Sequence, residues 1–246
     1  MTVVTTPHLG QFDPGASVPV GFARLGSWEI SLRRYVHSAD DLAAHYDAAA
    51  GTWDRTAARF GLVPAYAAAL RRARIGGAGS GPLHALDCGI GTGSLTLALS
   101  RVTGGTARHS GLDTSPRMIA AARASLAAEG VACDFAQGSI TAIPHPDARF
   151  DLVMAAHVLE HLPDPAAGLA EMSRVLKPGG RLFACVTRPS LFGAFIQMRW
   201  RTWAVSEGQG LTWLRDRGLG TFGLCPLAFH RLSGPGSTAF WATKPL

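Results

Sequence analysis

The sequence predicts an α/β fold: a mostly parallel sheet with helices on both faces. Three observations predict it. From Leu83 onward, short strand-like runs alternate with helix-length segments, the pattern of a covered parallel sheet. The helices carry start and stop signals, Ser115-Pro116, Asp164-Pro165 and KPGG at 177–180. A glycine-rich turn follows the first core strand, and an aspartate ends the next one.

The elements follow in order. Residues 1–36 are rich in Pro, Gly and Thr with little periodicity, and are expected to be an irregular arm. SADDLAAHYDAAA (38–50) reads as a helix, with Ser38 as N-cap and Asp40 and Asp41 suiting the first-turn dipole. VPAYAAALRRARI (63–75) reads as a second helix, and GGAGSGP (76–82) as a flexible linker. Residues 1–82 are thus an N-terminal arm with cap helices, and 83–246 the core domain. Strands are expected at 83–88, 107–112, 131–136, 150–156 and 181–187. A helix runs from about Ser94 to Arg101. A second, capped by Ser115 with Pro116 at its first position, continues to Ala128. A third starts at Asp164-Pro165, buries Leu169, Met172 and Leu176, and stops at KPGG.

Composition excludes several classes. The chain has 246 residues and is 47% hydrophobic, enough for one large domain with a sizeable core. No apolar run approaches the roughly 18–20 residues that span a bilayer. MTVVTTPHLG lacks a secretory signal, so a cytoplasmic location is expected. Cys88, Cys133, Cys185 and Cys225 are widely spaced and read as buried free thiols, with no metal site predicted. The net charge is +6, but the arginines are scattered and only Lys177 and Lys244 are lysines, so no nucleic-acid partner is expected.

Sheets of this kind bind ligands at the carboxyl ends of their strands. That directs attention to Asp87–Gly93, Asp113, Gly138-Ser139 and Ala155–His161. In ALDCGIGTGSL, Gly89, Gly91 and Gly93 allow a tight turn and close backbone approach. Asp113 lies twenty positions beyond Gly93, where an acid accepts hydrogen bonds from ribose hydroxyls. Two details count against a dinucleotide. Ser94 stands where G-x-G-x-x-G requires glycine, and Asp87 at the turn would repel a pyrophosphate. A phosphate-free, positively charged nucleoside suits both.

With that, LDCGIGTGSLTLAL resembles motif I of the class I S-adenosylmethionine-dependent methyltransferases. The resemblance continues through GLDTSPRMIAAAR (111–123), AQGSITAIPHPDARFDLVMAAHVLEHLPDP (136–165) and EMSRVLKPGGRLF (171–183). It implies a doubly wound, Rossmann-like, seven-stranded sheet, mostly parallel, closed by an antiparallel hairpin from GTFGLCPLAFHRL and STAFWATKP. It implies S-adenosylmethionine as cofactor. Gly89 and Gly91 would line its methionyl part, with Asp87 at the amino end, and Asp113 would hold the ribose; Ile90, Gly93, Thr114 and Met118 are further cofactor-binding candidates. Ser139 stands where many relatives have an acid for the adenine amine, and Ile140 shares that role through its backbone. Ala156 and His157 follow a strand where relatives contact cofactor or substrate. Tyr46 and Trp53 are candidates to cover the cofactor, or else they pack the cap on the core. In HVLEHL, His157 and His161 are candidate general bases, with Tyr46 as a further catalytic candidate. The competing reading is that Glu160 and His161 only order the loop.

The implied reaction moves the sulfonium methyl to an N, O, C or S atom of a small acceptor by in-line displacement. The segment 188–218 is expected to be a lid insertion. Its Leu191, Phe192, Phe195, Ile196 and Trp203, interleaved with Arg199 and Arg201, suggest an apolar or aromatic acceptor. An amphipathic face touching a membrane, with lipid or quinone substrates, is an alternative. So are a non-catalytic cofactor-binding accessory protein and, in another class, an NAD-dependent oxidoreductase. Ordinary core packing accounts for many of the aromatics equally well. The oligomeric state is not legible.

Overall fold

A computed structural model describes residues 17–25, 28–35, 61–76, 83–191, 193–194, 202–227 and 235–246. Strands β1 (Ser17–Leu25) and β2 (Trp28–Tyr35) pair antiparallel, from Ser17 opposite Tyr35 to Leu25 opposite Trp28. This corrects the expectation of an irregular arm over 1–36. The signal was present in WEISLRRY, where Trp28, Ile30 and Leu32 alternate with polar residues at period two. The ladder shifts register beside Pro19, which has no N–H to donate. The helix expected at 38–50, with Tyr46, and Trp53 beyond it, lie outside the described residues. Helix α1 (Leu62–Arg72) occupies the second expected helix and ends three residues short of it.

The core sheet has seven strands: β3 (His84–Cys88), β4 (Arg108–Asp113), β5 (Cys133–Gln137), β6 (Phe150–Ala156), β7 (Leu176–Thr187), β8 (Gly220–Leu227) and β9 (Ser237–Thr243). Their order is β5-β4-β3-β6-β7-β9-β8. β5, β4, β3, β6 and β7 run parallel, and β9 pairs antiparallel with both β7 and β8. The doubly wound sheet with its closing hairpin is therefore the one expected.

Successive strand residues feed opposite faces, as a pleated strand requires. On β6, Leu152 and Met154 join one core while Val153 and Ala155 join the other. On β7, Phe183 and Cys185 face the first core, and Leu182, Ala184 and Val186 the second. α1 and α2 (Ser94–Thr103) cover the first face, through Tyr66, Leu70, Leu95 and Leu99. α4 (Pro165–Val175) and α5 (Glu207–Asp216) cover the other, through Leu169, Met172 and Leu214. Between β4 and β5 runs α3 (Pro116–Ala128).

The caps are those the sequence marks. Ser115 Oγ accepts from Met118 N at 3.1 Å, and Asp164 Oδ1 accepts from Ala166 N at 2.9 Å. α4 ends at Val175, one residue before the expected Leu176, and β7 begins there. Pro178 explains the extended entry, because a residue before proline avoids the helical region.

In the expected lid, α5 is described, while Phe192, Phe195, Ile196, Arg199 and Arg201 are outside the described residues. Trp203 and Trp213 pack against the sheet core, and Val205 is fully buried. These therefore serve the core. Among the described residues no helix is long and apolar enough to cross a membrane. No cluster of metal-ligating side chains occurs among them. The four cysteines are free thiols, all buried except Cys133, which is half-buried.

Candidate active site

The chain leaves β3 for β4 on one side of the sheet, and β6 lies on the other. This reversal opens a crevice at the carboxyl ends of β3 and β6. A cavity of about 260 Å³ occupies it.

The glycine turn forms one wall. Gly89 has φ 71°, and a Cβ there would collide with the Val158 side chain. Gly91 has φ 54°, and a Cβ there would meet nothing within 4 Å, so its backbone is open to close approach. The Gly89 and Ile90 amides donate to Leu112 O at 2.7 and 3.0 Å, which ties the turn to β4. Gly93 does not line the cavity; it stands behind it as the N-cap of α2.

Asp113 braces the turn. Its Oδ2 accepts from Gly91 N at 2.9 Å and its Oδ1 from Ser115 N at 3.0 Å. Asp87 lies at the cavity floor, 1% exposed, and accepts from Thr96 Oγ1 at 2.8 Å. Burial pushes its carboxyl up, the Thr96 hydroxyl pulls it down, and the Asp113 charge pushes it up again, to about 7.

Ile90, Thr114, Met118 and Ile140 also line the cavity. Ser139 lines it too, but its hydroxyl is shared with Thr141 Oγ1 at 2.8 Å. The opposite wall carries Ala156, His157 and His161. His157 Nδ1 lies 3.0 Å from Glu160 Oε1. That same oxygen accepts from Thr187 N at 2.9 Å and Thr187 Oγ1 at 3.1 Å. His157 Nε2 faces Ser237 Oγ at 3.5 Å and Cys185 Sγ at 3.7 Å.

Sequence reasoning missed Leu62 and Tyr66 of α1, which line the cavity in the described part of the cap. It also missed Thr96, Thr187, Cys185 and Ser237. Thr187 had a usable signal, its place at the end of a parallel strand. Tyr46 and Trp53 are outside the described residues.

The fold and this crevice define an α/β domain with a cavity suited to a nucleoside. Among the described residues, the cavity lining includes Asp87 and Asp113 and no lysine or arginine. A pyrophosphate would meet carboxylates without a compensating basic side chain, whereas a sulfonium and an ammonium are complementary to them. The residues present therefore fit S-adenosylmethionine.

A family profile described as "Methyltransferase domain" matches residues 86–184. The demethylmenaquinone methyltransferase of Thermus thermophilus is 39% identical over 114 residues, 46% of this chain and 51% of that protein. The ubiquinone/menaquinone biosynthesis C-methyltransferase of Shewanella halifaxensis is 36% identical over 115 residues, 46% of each. The chain spans about half the length of the curated relatives it matches. Among solved structures, the chain bound to the Haloferax volcanii Trm112 methyltransferase activator has TM-score 0.66 at 21% identity. That match covers 82% of this chain and 98% of the other. An S-adenosylmethionine-dependent methyltransferase from Aquifex aeolicus has TM-score 0.54 at 20% identity, covering 67% and 83%. At these identities the structures show the fold alone. Residues 86–184 are thus similar to a methyltransferase domain, for which S-adenosylmethionine is the implied cofactor.

Proposed function

We propose that the protein methylates a ring carbon of a small aromatic acceptor of the quinol type. One observation supports this most: a single cavity is lined by the glycine turn with its two acids and by an apolar wall beside His157. The apolar wall includes Leu62, Val158, Leu162 and Pro163. The quinone acceptors in the names of the two relatives agree with such a wall.

When bound, S-adenosylmethionine would supply a methyl group on a sulfonium, open to in-line displacement. The chain's own residues hold and dry the site. Asp87 pairs with the amino end of the methionine. Asp113 accepts the ribose hydroxyls while it keeps the turn closed. Gly91 lets the backbone approach, and Ile90, Met118 and Ile140 exclude water around the adenosine. His161, 8% exposed, is part of the cavity rim and of the field around Glu160.

Two measurements test this. Asp113→Ala should weaken S-adenosylhomocysteine binding by about 1.5–3 kcal/mol, on the order of 10- to 100-fold. Calorimetry that returns the wild-type affinity would remove Asp113 from the site. Methyl-labelled cofactor should label a reduced 1,4-naphthoquinone that has a free ring position, with the new methyl on carbon by NMR. Intact S-adenosylhomocysteine binding with no labelled quinol, or with label on oxygen, would overturn the carbon-acceptor reading.

A further inference from the structure

The end of the cavity beyond Asp113 has a chemistry of its own. Strand order places it: β4 lies between β3 and β5, so a nucleoside with its amino end at Asp87 and its ribose at Asp113 sends its base toward β5. There the cavity is lined by Gly138, Ser139, Ile140 and Thr141 of the loop after β5. Ile90, Met118 and Ile140, all buried, supply apolar surface for the faces of a base. Among the described residues this loop brings no charged side chain to the cavity. The polar edge of the base is left to two hydroxyls.

Those hydroxyls are coupled. Ser139 Oγ and Thr141 Oγ1 are 2.8 Å apart, and either can be the donor. Ser139 Oγ also accepts from Thr141 N at 3.2 Å. A hydroxyl has one hydrogen and two lone pairs, so the pair has two settings. In the first, Ser139 donates to Thr141 and keeps one lone pair with which to accept. In the second, Thr141 donates to Ser139, both Ser139 lone pairs are taken, and the Ser139 hydrogen is released to donate. The two settings differ by hydroxyl rotation alone, with no movement of heavy atoms.

The loop that carries them is firmly held. Ala142 N donates to Ser139 O at 3.0 Å and closes the turn. Glu171 Oε2 accepts from Ile143 N at 2.8 Å, and Arg174 donates to Ile143 O and His145 O at 2.9 Å each. The hydroxyls therefore switch on a fixed frame anchored to α4.

We infer that Ser139 and Thr141 form a reversible reader of the base edge, so that this crevice takes a 6-amino purine and a 6-oxo purine nearly alike. This rests on the reading of the crevice as an S-adenosylmethionine site and names its base selectivity. A 6-amino group donates and is met by the first setting. A 6-oxo group accepts and is met by the second. A carboxylate at the same place could only accept, and would favour the amine.

The test compares S-adenosylhomocysteine with S-inosylhomocysteine, which carries the 6-oxo purine, by calorimetry. The wild-type protein should bind the two within about fivefold of each other, because neither leaves a polar group unpaired. In Ser139→Asp, S-adenosylhomocysteine should still bind, and its advantage should grow to more than about twentyfold. A wild-type preference for the adenosyl compound beyond about fivefold overturns the inference, since groups of fixed polarity would then read the base. A Ser139→Asp protein that binds the two as the wild type does also overturns it, because position 139 would not meet the base edge. Both of these outcomes leave the cofactor reading standing. Binding of neither compound to the wild-type protein overturns both readings. The wild-type comparison needs no variant, so a Ser139→Asp protein that fails to fold does not remove the test.

Discussion

Asp87→Asn should stabilise the folded protein at pH 8 while it disables the cofactor site. Burial raises the Asp87 carboxyl from 3.8 to about 7. A raised acid holds its proton longer in the folded state than in the unfolded one. Folding stability therefore falls as pH rises from about 4 to 7, and the full cost is present above that window. Asparagine carries no such charge and can still accept the Thr96 hydroxyl. The shift of about three units, at about 1.36 kcal/mol each, sets an upper bound near 4 kcal/mol, and about 2–4 kcal/mol is expected. Urea unfolding at pH 4.5 and pH 8 checks the sign: the variant's advantage must be larger at pH 8. Binding moves the other way. The wild-type protein should gain about tenfold in affinity for S-adenosylhomocysteine from pH 6 to pH 8, as Asp87 ionises and pairs with the ammonium. The variant should lose most of that affinity and all of its slope. An unchanged slope would show that another group governs cofactor binding.

Glu160→Ala is expected to be among the most damaging single substitutions in the core. It would leave the His157 ring and both buried Thr187 donors without their common acceptor. Removing one partner of a buried ion pair costs about 3–5 kcal/mol. For a protein of this size that lowers the melting temperature by about 10 °C. The pH dependence identifies the cause. His157 is raised, so its contribution is complete below the ordinary value of 6.5 and is lost as pH rises through about 10. Glu160 is lowered, so its contribution is complete above 4.5 and is lost as pH falls through its folded value. The gap between wild type and variant should therefore be widest near pH 5–6.5 and shrink by pH 10. A gap at pH 10 as large as at pH 6 would mean that lost packing, and not the ion pair, carries the effect.

Much of the proposed cofactor side was legible in the sequence because it is local. Asp87, Gly89 and Gly91 lie within five residues of one another, and Asp113 ends the very next strand. Position after a strand, glycine spacing and acid type are all one-dimensional properties. Gly93 shows the limit of that logic: it shares the spacing but serves as a helix cap behind the cavity. The early hairpin was readable and was missed, because the Pro and Gly around it obscured the alternation of Trp28, Ile30 and Leu32.

The acceptor side was not legible, and the reason is distance along the chain. HVLEHL suggests a histidine and a carboxylate. It does not say which one faces the cavity or what the carboxylate touches. Thr187 lies 27 residues beyond Glu160, and Ser237 lies 80 beyond His157. Tyr66 belongs to a helix whose sequence, VPAYAAALRR, marks only an apolar stripe.

By itself, then, the amino-acid sequence determined the fold class and the strand that carries the glycine turn, and it pointed to a ligand with a ribose and positive charge. Periodicity, caps and glycine positions act between neighbours in the chain. The tertiary structure alone decided that Asp87 is buried, that Asp113 braces the turn, and that His157 is pressed against a dehydrated Glu160. Those are properties of solvent exclusion, and water is excluded only once β3, β6, β7 and β9 lie side by side beneath their helices.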